Sequence, residues 1–172
     1  MKAILSQHTL SALEHSKKIF IVGSVGCGKT TLAQQLSLQK DLPWYELDCI
    51  VHVQTIEGRK KRTPEEQLKL IEEIDLQGSW IFEGVDRTSY RPLFEMADTI
   101  IFLDTPKWQR RARIVSRYLK QRVGIEQSHY KPDLAMLRMM FKWSNDFERN
   151  RGFLEERLNL HEHKVIRLAN GG

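Results

Sequence analysis

Short apolar segments recur along the chain and predict β-strands. They are rich in β-branched and aromatic residues and too short to be helices: residues 19–22, 44–47, 80–82, 100–103 and 165–168. Apolar residues follow one another in these segments without strict alternation, which is typical of strands that are buried on both faces of a parallel sheet. The pattern therefore predicts a five-stranded parallel sheet.

Helical patterns lie between these segments. Residues 29–38 carry leucine and alanine side chains at helical spacing. Thr63, Pro64 and Glu66 supply an N-cap, a first-turn proline and a capping-box glutamate. Together these three residues predict the start of a second helix.

Prolines predict the starts of two further helices. One extends over residues 106–122 and the other over 132–160, with Gly152 as a candidate break. Apolar side chains of the latter helix are expected in the core: Met136, Met139, Met140, Trp143 and Phe147. A short packed helix is expected within residues 1–16. The alternation of strands and helices predicts a three-layer α/β/α sandwich, with right-handed crossovers, in a single domain over residues 1–172.

Length and composition agree with one cytoplasmic domain. The chain has 172 residues, which is enough for one core without metals or disulfides. Cys27 and Cys49 form no disulfide framework, and no charged start followed by a long apolar run marks a signal peptide or a membrane span. We therefore expect the cytoplasm and no membrane partner. The net charge of +5 favours anionic partners, and a nucleotide satisfies it as well as a nucleic acid does.

Residues 23–30 read GSVGCGKT, which matches the phosphate-loop pattern GxxxxGK[ST] completely. A predicted strand precedes the loop and a predicted helix follows it, as phosphate binding by backbone amides at a helix start requires. Lys29 can reach the β and γ phosphates, and the Thr30 hydroxyl can hold Mg²⁺. The residues expected to bind ATP or a similar nucleoside triphosphate are Gly23, Ser24, Val25, Gly26, Cys27, Gly28, Lys29, Thr30 and Thr31.

Three segments at the ends of predicted strands read ELDCIVH (residues 46–52), IFEGVDRT (residues 81–88) and IIFLDTP (residues 100–106). They resemble segments of small-molecule and nucleoside monophosphate kinases. IFEGVDRT resembles the adenylate kinase segment DGFPRT, with Gly84, Arg87 and Thr88 in matching places. IIFLDTP, followed by Arg113 and Arg117, is similar to that family's strand, proline, and arginines seven and eleven residues beyond the proline. ELDCIVH is closer to the bacterial topology modulation proteins, which are adenylate-kinase-like P-loop proteins of about this length.

The resemblance extends over residues 18–168 and implies a P-loop NTPase fold of the nucleoside monophosphate kinase type. It also implies transfer of the γ-phosphoryl group of ATP to a small acceptor, with an acceptor flap at about residues 49–75 and a lid at about 107–135. Arg113 and Arg117 would then be lid arginines that neutralise charge on the transferred group.

The charge pattern of residues 107–122 agrees with that assignment, because this segment contains seven bases and no acid. Arg113 and Arg117 lie one helical turn apart and share a face, so both can meet one phosphate chain. The other bases are expected to form a solvated face: Arg110, Arg111, Lys120 and Arg122.

Carboxylates at predicted strand ends are the candidates for the remaining roles. Asp48 is expected to orient or deprotonate the acceptor, with an N-cap as the alternative reading, and Arg87 to bind an acceptor phosphate. Glu83 is expected beside the phosphate-loop strand, where it binds Mg²⁺ through water or acts as a base, with Asp104 as its rival. The predicted catalytic residues are thus Lys29, Asp48, Glu83, Arg113 and Arg117. Surface ion pairs are expected of Arg149 and Arg151.

Two functions remain in competition at this point. The favoured one is a kinase that acts on a nucleoside, nucleotide or similar metabolite, with the acceptor and the choice between ATP and GTP left open. The alternative is an ATP-dependent regulatory protein that binds nucleic acid through the basic face of residues 107–122. No helix-turn-helix, zinc-finger or RNA-binding signature accompanies that charge.

Overall fold

The computed structural model describes residues 7–56, 58–125 and 133–169. Its strands are β1 (Lys18–Gly23), β2 (Trp44–Glu46), β3 (His52–Thr55), β4 (Gly58–Lys61), β5 (Trp80–Gly84), β6 (Thr99–Leu103) and β7 (Val165–Leu168). Its helices are α1 (Gln7–Ala12), α2 (Lys29–Lys40), α3 (Leu47–Val51), α4 (Pro64–Asp75), α5 (Arg91–Met96), α6 (Lys107–Arg122) and α7 (Leu134–Leu160), with 3₁₀ turns at Thr88–Tyr90 and Glu162–Lys164.

Within these residues, five strands form one parallel sheet in the order β2-β5-β1-β6-β7. The five predicted strands are confirmed, and so is the prediction that β5 lies beside β1. Because neighbouring strands run in the same direction, β2, β5 and β1 present their carboxyl ends at one edge of the sheet.

Successive residues of the central strand point to opposite faces of the sheet. Phe20 and Val22 pack with apolar side chains from α4, α5 and α7, whereas Ile19 and Ile21 pack with those from α2. Helices therefore cover both faces, which confirms the predicted three-layer α/β/α sandwich. Burial on both faces also explains why the strands read as continuous apolar segments.

The predicted flap, residues 49–75, contains an antiparallel hairpin of β3 and β4 before α4. The sequence pattern does not predict the hairpin, because Val53 is the single apolar side chain in its two strands. The start of α4 is confirmed: the Thr63 hydroxyl accepts from the Glu66 amide at 3.2 Å, and the Glu66 carboxylate accepts from the Thr63 amide at 2.8 Å.

The remaining helix predictions agree with the structure in most respects. α6 begins directly after Pro106 and ends at Arg122. α7 continues through Gly152 without a break, and the Asp133 carboxylate caps it by accepting from a backbone amide at 2.8 Å. Part of the predicted lid, residues 126–132, lies outside the described residues.

The prediction that Met139 and Trp143 pack in the core is wrong, because 43% and 48% of their surfaces are exposed. A helix of 27 residues is about 40 Å long, whereas a five-residue strand spans about 17 Å. α7 is therefore too long for all of its apolar side chains to reach the sheet, and those that pack in its core cluster are Phe147, Leu154 and Leu158. Among the described helices, α7 included, none combines the length and the hydrophobicity needed to cross a lipid bilayer.

Candidate active site

The phosphate loop connects β1 to α2 through two backbone conformations that favour glycine. Gly26 has φ of 74°, and Gly28, the N-cap of α2, has φ of 102°. A side chain at either position would strain the backbone, because L-residues with a Cβ rarely adopt this region. Val25 is half-buried in the loop, and Thr31 is exposed in the first turn of α2.

Lys29 lies within the curve of this loop rather than in solvent. Its side chain is largely buried, and Nζ donates to the Ser24 carbonyl oxygen at 2.8 Å. The Ser24 hydroxyl is buried as well and makes no hydrogen bond in the described structure. A buried polar group without a partner is costly, so the loop contains a donor that suits a phosphate oxygen.

Thr30 and Glu83 come together beside the loop. The Thr30 hydroxyl donates to Glu83 Oε1 at 2.6 Å, and Glu83, at the end of β5, is 5% exposed. Burial raises the pKa of Glu83 above its ordinary value, with further increases from Glu46 and Asp48, although Lys29 and the Thr30 hydrogen bond oppose the shift. The Thr30 hydroxyl oxygen keeps lone pairs for a cation, and oxygen ligands are those that Mg²⁺ prefers.

No group of three or more His, Cys, Asp or Glu side chains in the described part of the chain can hold a metal ion without other ligands. The residues present nevertheless fit Mg²⁺ that is also bound by phosphate oxygens and water. That mode of binding needs one or two protein oxygens, which Thr30 and Glu83 can supply.

Asp48 and Arg87 meet at the same edge of the sheet. Asp48 lies in the first turn of α3, directly after β2, and Arg87 Nη2 lies 3.6 Å from Asp48 Oδ1. The alternative reading of Asp48 as an N-cap is wrong, because Glu46 occupies that position. The Asp48 side chain is 65% exposed, so this ion pair contributes little to stability and can open for a ligand.

Strand register explains how these residues share one cleft. Glu83 of β5 is paired with Ile21 of β1 on one side and with Glu46 of β2 on the other. Gly84 follows and makes room for α3, since a Cβ at this position would lie 2.7 Å from Leu47 Cδ1. The phosphate loop and the Asp48–Arg87 pair are therefore neighbours across Glu83.

Arg113 of α6 contacts the phosphate loop from its outer side. Arg113 Nη1 donates to the Cys27 carbonyl oxygen at 2.8 Å, and the Thr105 hydroxyl donates to the same oxygen at 3.0 Å. Arg117, one turn further along α6, is exposed. Sequence reasoning assigned no contact to Thr105, whose position before Pro106 indicates the entry to a helix.

The expectation that Arg110 belongs to a solvated face is wrong. Arg110 is 1% exposed, forms an ion pair with Glu148 of α7, and places its guanidinium 5.2 Å from the centre of the Phe147 ring. It lies where α6 packs on α7, an arrangement that a basic helical pattern does not reveal. The other members of the expected face are exposed: Arg111, Lys120 and Arg122.

Asp104 is held by α7 rather than directed to the phosphate loop. Both of its oxygens accept from Arg151, at 2.8 and 2.5 Å, and Arg151 also pairs with Glu155. The ion pair expected of Arg151 is therefore confirmed, and so is that of Arg149, which lies 3.5 Å from an aspartate of its own helix. Glu83 remains the carboxylate in contact with Thr30.

Asp86, which directly precedes Arg87 in the chain, forms an ion pair with Arg157 of α7. Burial raises the pKa of Asp86, and the charges of Arg157 and Arg91 act against that shift. Arg157 also lies over the Phe94 ring, at 5.3 Å from its centre. Sequence reasoning missed this support for the Arg87 segment, because 71 residues separate Asp86 from Arg157 and no local pattern connects them.

Comparisons with known proteins find one sequence match at the phosphate-loop segment and fold matches over most of the chain. The family described as "PduV-EutP: Ethanolamine utilisation - propanediol utilisation" matches residues 16–57, which contain the phosphate loop. No curated protein matches the chain significantly in sequence. Similarity to the topology modulation proteins stays a prediction.

Solved structures are similar over nearly the whole chain. A shikimate kinase from Acinetobacter baumannii in complex with shikimate is 15% identical, covers 93% of this chain and 88% of its own, and has a TM-score of 0.55. A shikimate kinase from Bacteroides thetaiotaomicron is 12% identical, covers 91% and 88%, and has a TM-score of 0.53. A gluconokinase from Sinorhizobium meliloti 1021 is 18% identical, covers 89% and 82%, and has a TM-score of 0.51. At these identities the similarity establishes the fold, and neither the activity nor the acceptor.

Proposed function

We propose that this chain is a Mg²⁺-dependent kinase that transfers the γ-phosphoryl group of ATP to a hydroxyl group of a small acceptor. The proposal rests on one observation: the phosphate loop, whose Thr30 hydroxyl donates to Glu83, lies at the same sheet edge as the Asp48–Arg87 pair. A site for a phosphoryl donor and a site for a hydroxyl acceptor are thus adjacent. The proposed acceptors are nucleosides, nucleotides or similar metabolites.

The donor side consists of loop residues that suit a triphosphate. Lys29 exchanges its contact with the Ser24 carbonyl oxygen for phosphate oxygens, and the buried Ser24 hydroxyl gains a partner. Thr30 would hold Mg²⁺ directly and Glu83 through water. When bound, the ion neutralises charge on the β and γ phosphates.

The acceptor side consists of Asp48 and Arg87. Asp48 orients the acceptor hydroxyl and receives its proton as the hydroxyl oxygen bonds to the γ phosphorus and the bond to the β-phosphate oxygen breaks. Arg87 binds an anionic group of the acceptor, since its pair with Asp48 is partly exposed and loose. The proposed flap, residues 49–75, then lies beside the acceptor.

The proposed lid, at about residues 107–135, contributes Arg113 and Arg117. Arg113 already lies against the loop backbone, and Arg117 follows one turn later on the same face of α6. Two guanidinium groups in this position favour the charge that develops on the transferred phosphoryl group. The nucleic-acid alternative has less support, because the burial of Arg110 and the loop contact of Arg113 remove both from the solvated face.

The test is acceptor-dependent formation of ADP. A thermal-shift screen with a non-hydrolysable ATP analogue selects candidate acceptors from nucleosides, nucleotides, polyols and phosphorylated metabolites, since a true acceptor stabilises the folded protein. Each candidate is then assayed with ATP and Mg²⁺. If no member of the panel increases ADP formation, the proposal is contradicted.

Asp48→Asn is the decisive variant in this assay. Loss of the proton acceptor is expected to lower kcat about a hundredfold or more while ATP affinity stays the same. Asp41→Asn is the matched control, because Asp41 is an exposed aspartate at the opposite end of α2 whose left-handed backbone suits asparagine. Equal turnover in Asp48→Asn and Asp41→Asn would remove Asp48 from the mechanism.

A further inference from the structure

A groove between α6 and α7 lies outside the proposed active site. Its lining is mainly apolar: Arg111, Ala112, Val115, Ser116, Leu119 and Phe141. Helical geometry places Arg111, Val115 and Leu119 on the side of α6 turned away from Arg113, which contacts the phosphate loop. The mechanism uses none of them.

The α6 side of the groove continues an exposed apolar stripe. Trp108, Ala112, Val115 and Leu119 follow one another in steps of four, three and four residues. Trp108 and Leu119 are 70% and 56% exposed, and Val115 is 39% exposed. Steps of this kind form the seam along which one helix packs on another. α6 therefore presents a helix-pairing surface in addition to the surface that contacts α7.

The shape of this surface suits a helical partner. The stripe covers twelve residues of helix, which corresponds to about 18 Å or roughly three turns. Phe141 of α7 forms part of the second wall, and the Arg111 guanidinium lies 5.7 Å from the centre of its ring. An open apolar groove between two helices is a geometry in which an amphipathic helix binds by its apolar face.

The charges around the groove favour a partner of one sign of charge. Residues 107–125 contain no acid, and the exposed bases Arg111 and Arg122 flank the stripe. On α7, the exposed bases Arg138 and Lys142 lie within one turn of Phe141. A second copy of the chain bound by the same surface would bring these bases against one another, which opposes self-association.

We propose that the α6–α7 groove binds an acidic amphipathic helix of a partner protein. Apolar side chains of the partner at heptad positions would pack on Val115, Leu119 and Phe141. Flanking glutamates or aspartates would meet the bases on both sides of the groove. Because the phosphate loop contacts the other side of α6, the partner and the nucleotide would bind at the same time.

The test uses the full chain and a labelled synthetic peptide. The peptide has about three heptads, with leucine at the seam and glutamate at the flanking positions, and its binding is measured by fluorescence anisotropy. We expect saturable binding, and at least about tenfold weaker binding of the same peptide with lysine in place of glutamate. Equal binding of the two peptides, or none of the acidic one, overturns the proposal.

A pair of variants locates the binding surface. Leu119→Ser removes an exposed apolar side chain from the groove and is expected to weaken acidic-peptide binding about tenfold. Leu38→Ser is the matched control, since Leu38 is 86% exposed on α2, and we expect it to bind as the unchanged protein does. An unchanged thermal midpoint shows that Leu119→Ser is folded, and unchanged binding by this variant contradicts the proposal.

Occupants of the groove other than an acidic helix would give different results in binding and sedimentation experiments. Sedimentation that shows a dimer which Leu119→Ser dissociates assigns the groove to a second copy of the chain. Phosphatidylserine vesicles and single-stranded oligothymidylate are tested in the same way. If either binds more tightly than the peptide, and Leu119→Ser weakens that binding, the groove is assigned to a lipid surface or to nucleic acid respectively. Any of these results overturns the proposal.

Discussion

At the scale of single residues, Lys29 is the side chain on which the proposed nucleotide binding would depend most. It is largely buried in the phosphate loop and donates to the Ser24 carbonyl oxygen. A triphosphate offers this ammonium group charged acceptors, and hydrogen bonds to charged groups contribute about 1.5–3 kcal/mol each.

Lys29→Ala is expected to weaken ATP binding by about a hundredfold or more, because it removes at least one such contact and a positive charge. Isothermal titration calorimetry measures the affinity. Lys69→Ala is the matched control, since Lys69 is an exposed lysine on α4 with a surface pair to Glu73, and its affinity should not change. ATP binding by Lys29→Ala at the normal affinity would refute the assignment of the loop.

The ionisation of Glu83, a residue of the candidate site, affects the stability of the fold. Its pKa is raised by burial, so its charged form is disfavoured in the folded protein. Protonation of Glu83 therefore stabilises the fold at low pH, and this stabilisation is lost as pH rises through the raised pKa.

Glu83→Gln removes this titration. We expect it to raise Tm by about 2–4 °C at pH values above the raised pKa, where the wild-type carboxylate is charged, and the gain should vanish in acid. The variant should also bind ATP with less dependence on Mg²⁺. Thermal unfolding of both proteins from acid to alkaline pH measures the difference, and a difference that does not change with pH contradicts this account of Glu83.

The position of a residue can be predicted when its neighbours in the sequence determine it, and not when distant segments do. The phosphate loop is one contiguous pattern, so the contact of Lys29 with the loop and the position of Thr30 follow from spacing alone. Arg110 and Arg157 reach partners 38 and 71 residues away, and their burial depends on helix packing that no single segment encodes.

At the scale of elements, α6 is a helix whose three sides have different surroundings. One side meets the phosphate loop through Arg113, another packs on α7 through Arg110, and a third forms the exposed apolar stripe. The Arg110 side chain is 2% exposed, whereas its partner Glu148 is 34% exposed. The two members of this ion pair should therefore respond differently to substitution.

Glu148→Gln is expected to lower the free energy of unfolding by about 3 kcal/mol, because it leaves a buried guanidinium without its anion. Arg110→Met should cost less, since Glu148 stays partly hydrated and the methionine fills the apolar space. Urea denaturation measures both. Asp146→Asn, which breaks an exposed pair of α7, serves as the control and should change stability by less than about 0.5 kcal/mol. A larger loss in Arg110→Met than in Glu148→Gln would be inconsistent with this explanation.

The elements differ in how far the sequence reveals them. Strands such as β1 are recognised because both faces are buried, and α4 because Thr63 and Glu66 form a capping box. The hairpin of β3 and β4 is polar throughout most of its length, so no apolar period marks it. The exposure of Trp143 is missed because an apolar helical stripe does not reveal where the sheet beneath it ends.

At the scale of the whole molecule, the sheet brings residues from distant segments to one edge. Thr30 follows β1, Glu83 ends β5 and Asp48 follows β2, and these three strands are adjacent. The sequence predicts the parallel sheet and the β1–β5 neighbours. It does not predict the position of β7, which depends on packing beside β6.

Ligand binding at this edge should stabilise the whole fold. ATP with Mg²⁺ at about a hundred times Kd adds about 2.7 kcal/mol, which corresponds to about 5–10 °C in Tm for a chain of this size. Removal of Mg²⁺ with EDTA should reduce the shift. In Glu83→Gln the shift should be smaller and nearly insensitive to EDTA. A differential scanning experiment in which ATP leaves the wild-type Tm unchanged would argue against a nucleotide site.

The two hydrogen bonds on the Cys27 carbonyl oxygen limit how the molecule can move. Thr105 precedes α6 and Arg113 lies within it, so both ends of this contact join the loop to the same helix. The loop and α6 should consequently behave as one rigid body during the proposed turnover, so that the α6 part of the proposed lid presents Arg113 and Arg117 from a fixed position. Any hinge that admits and releases substrate then belongs on the other side of the cleft, where Arg87 and Asp48 are 3.6 Å apart and free to separate.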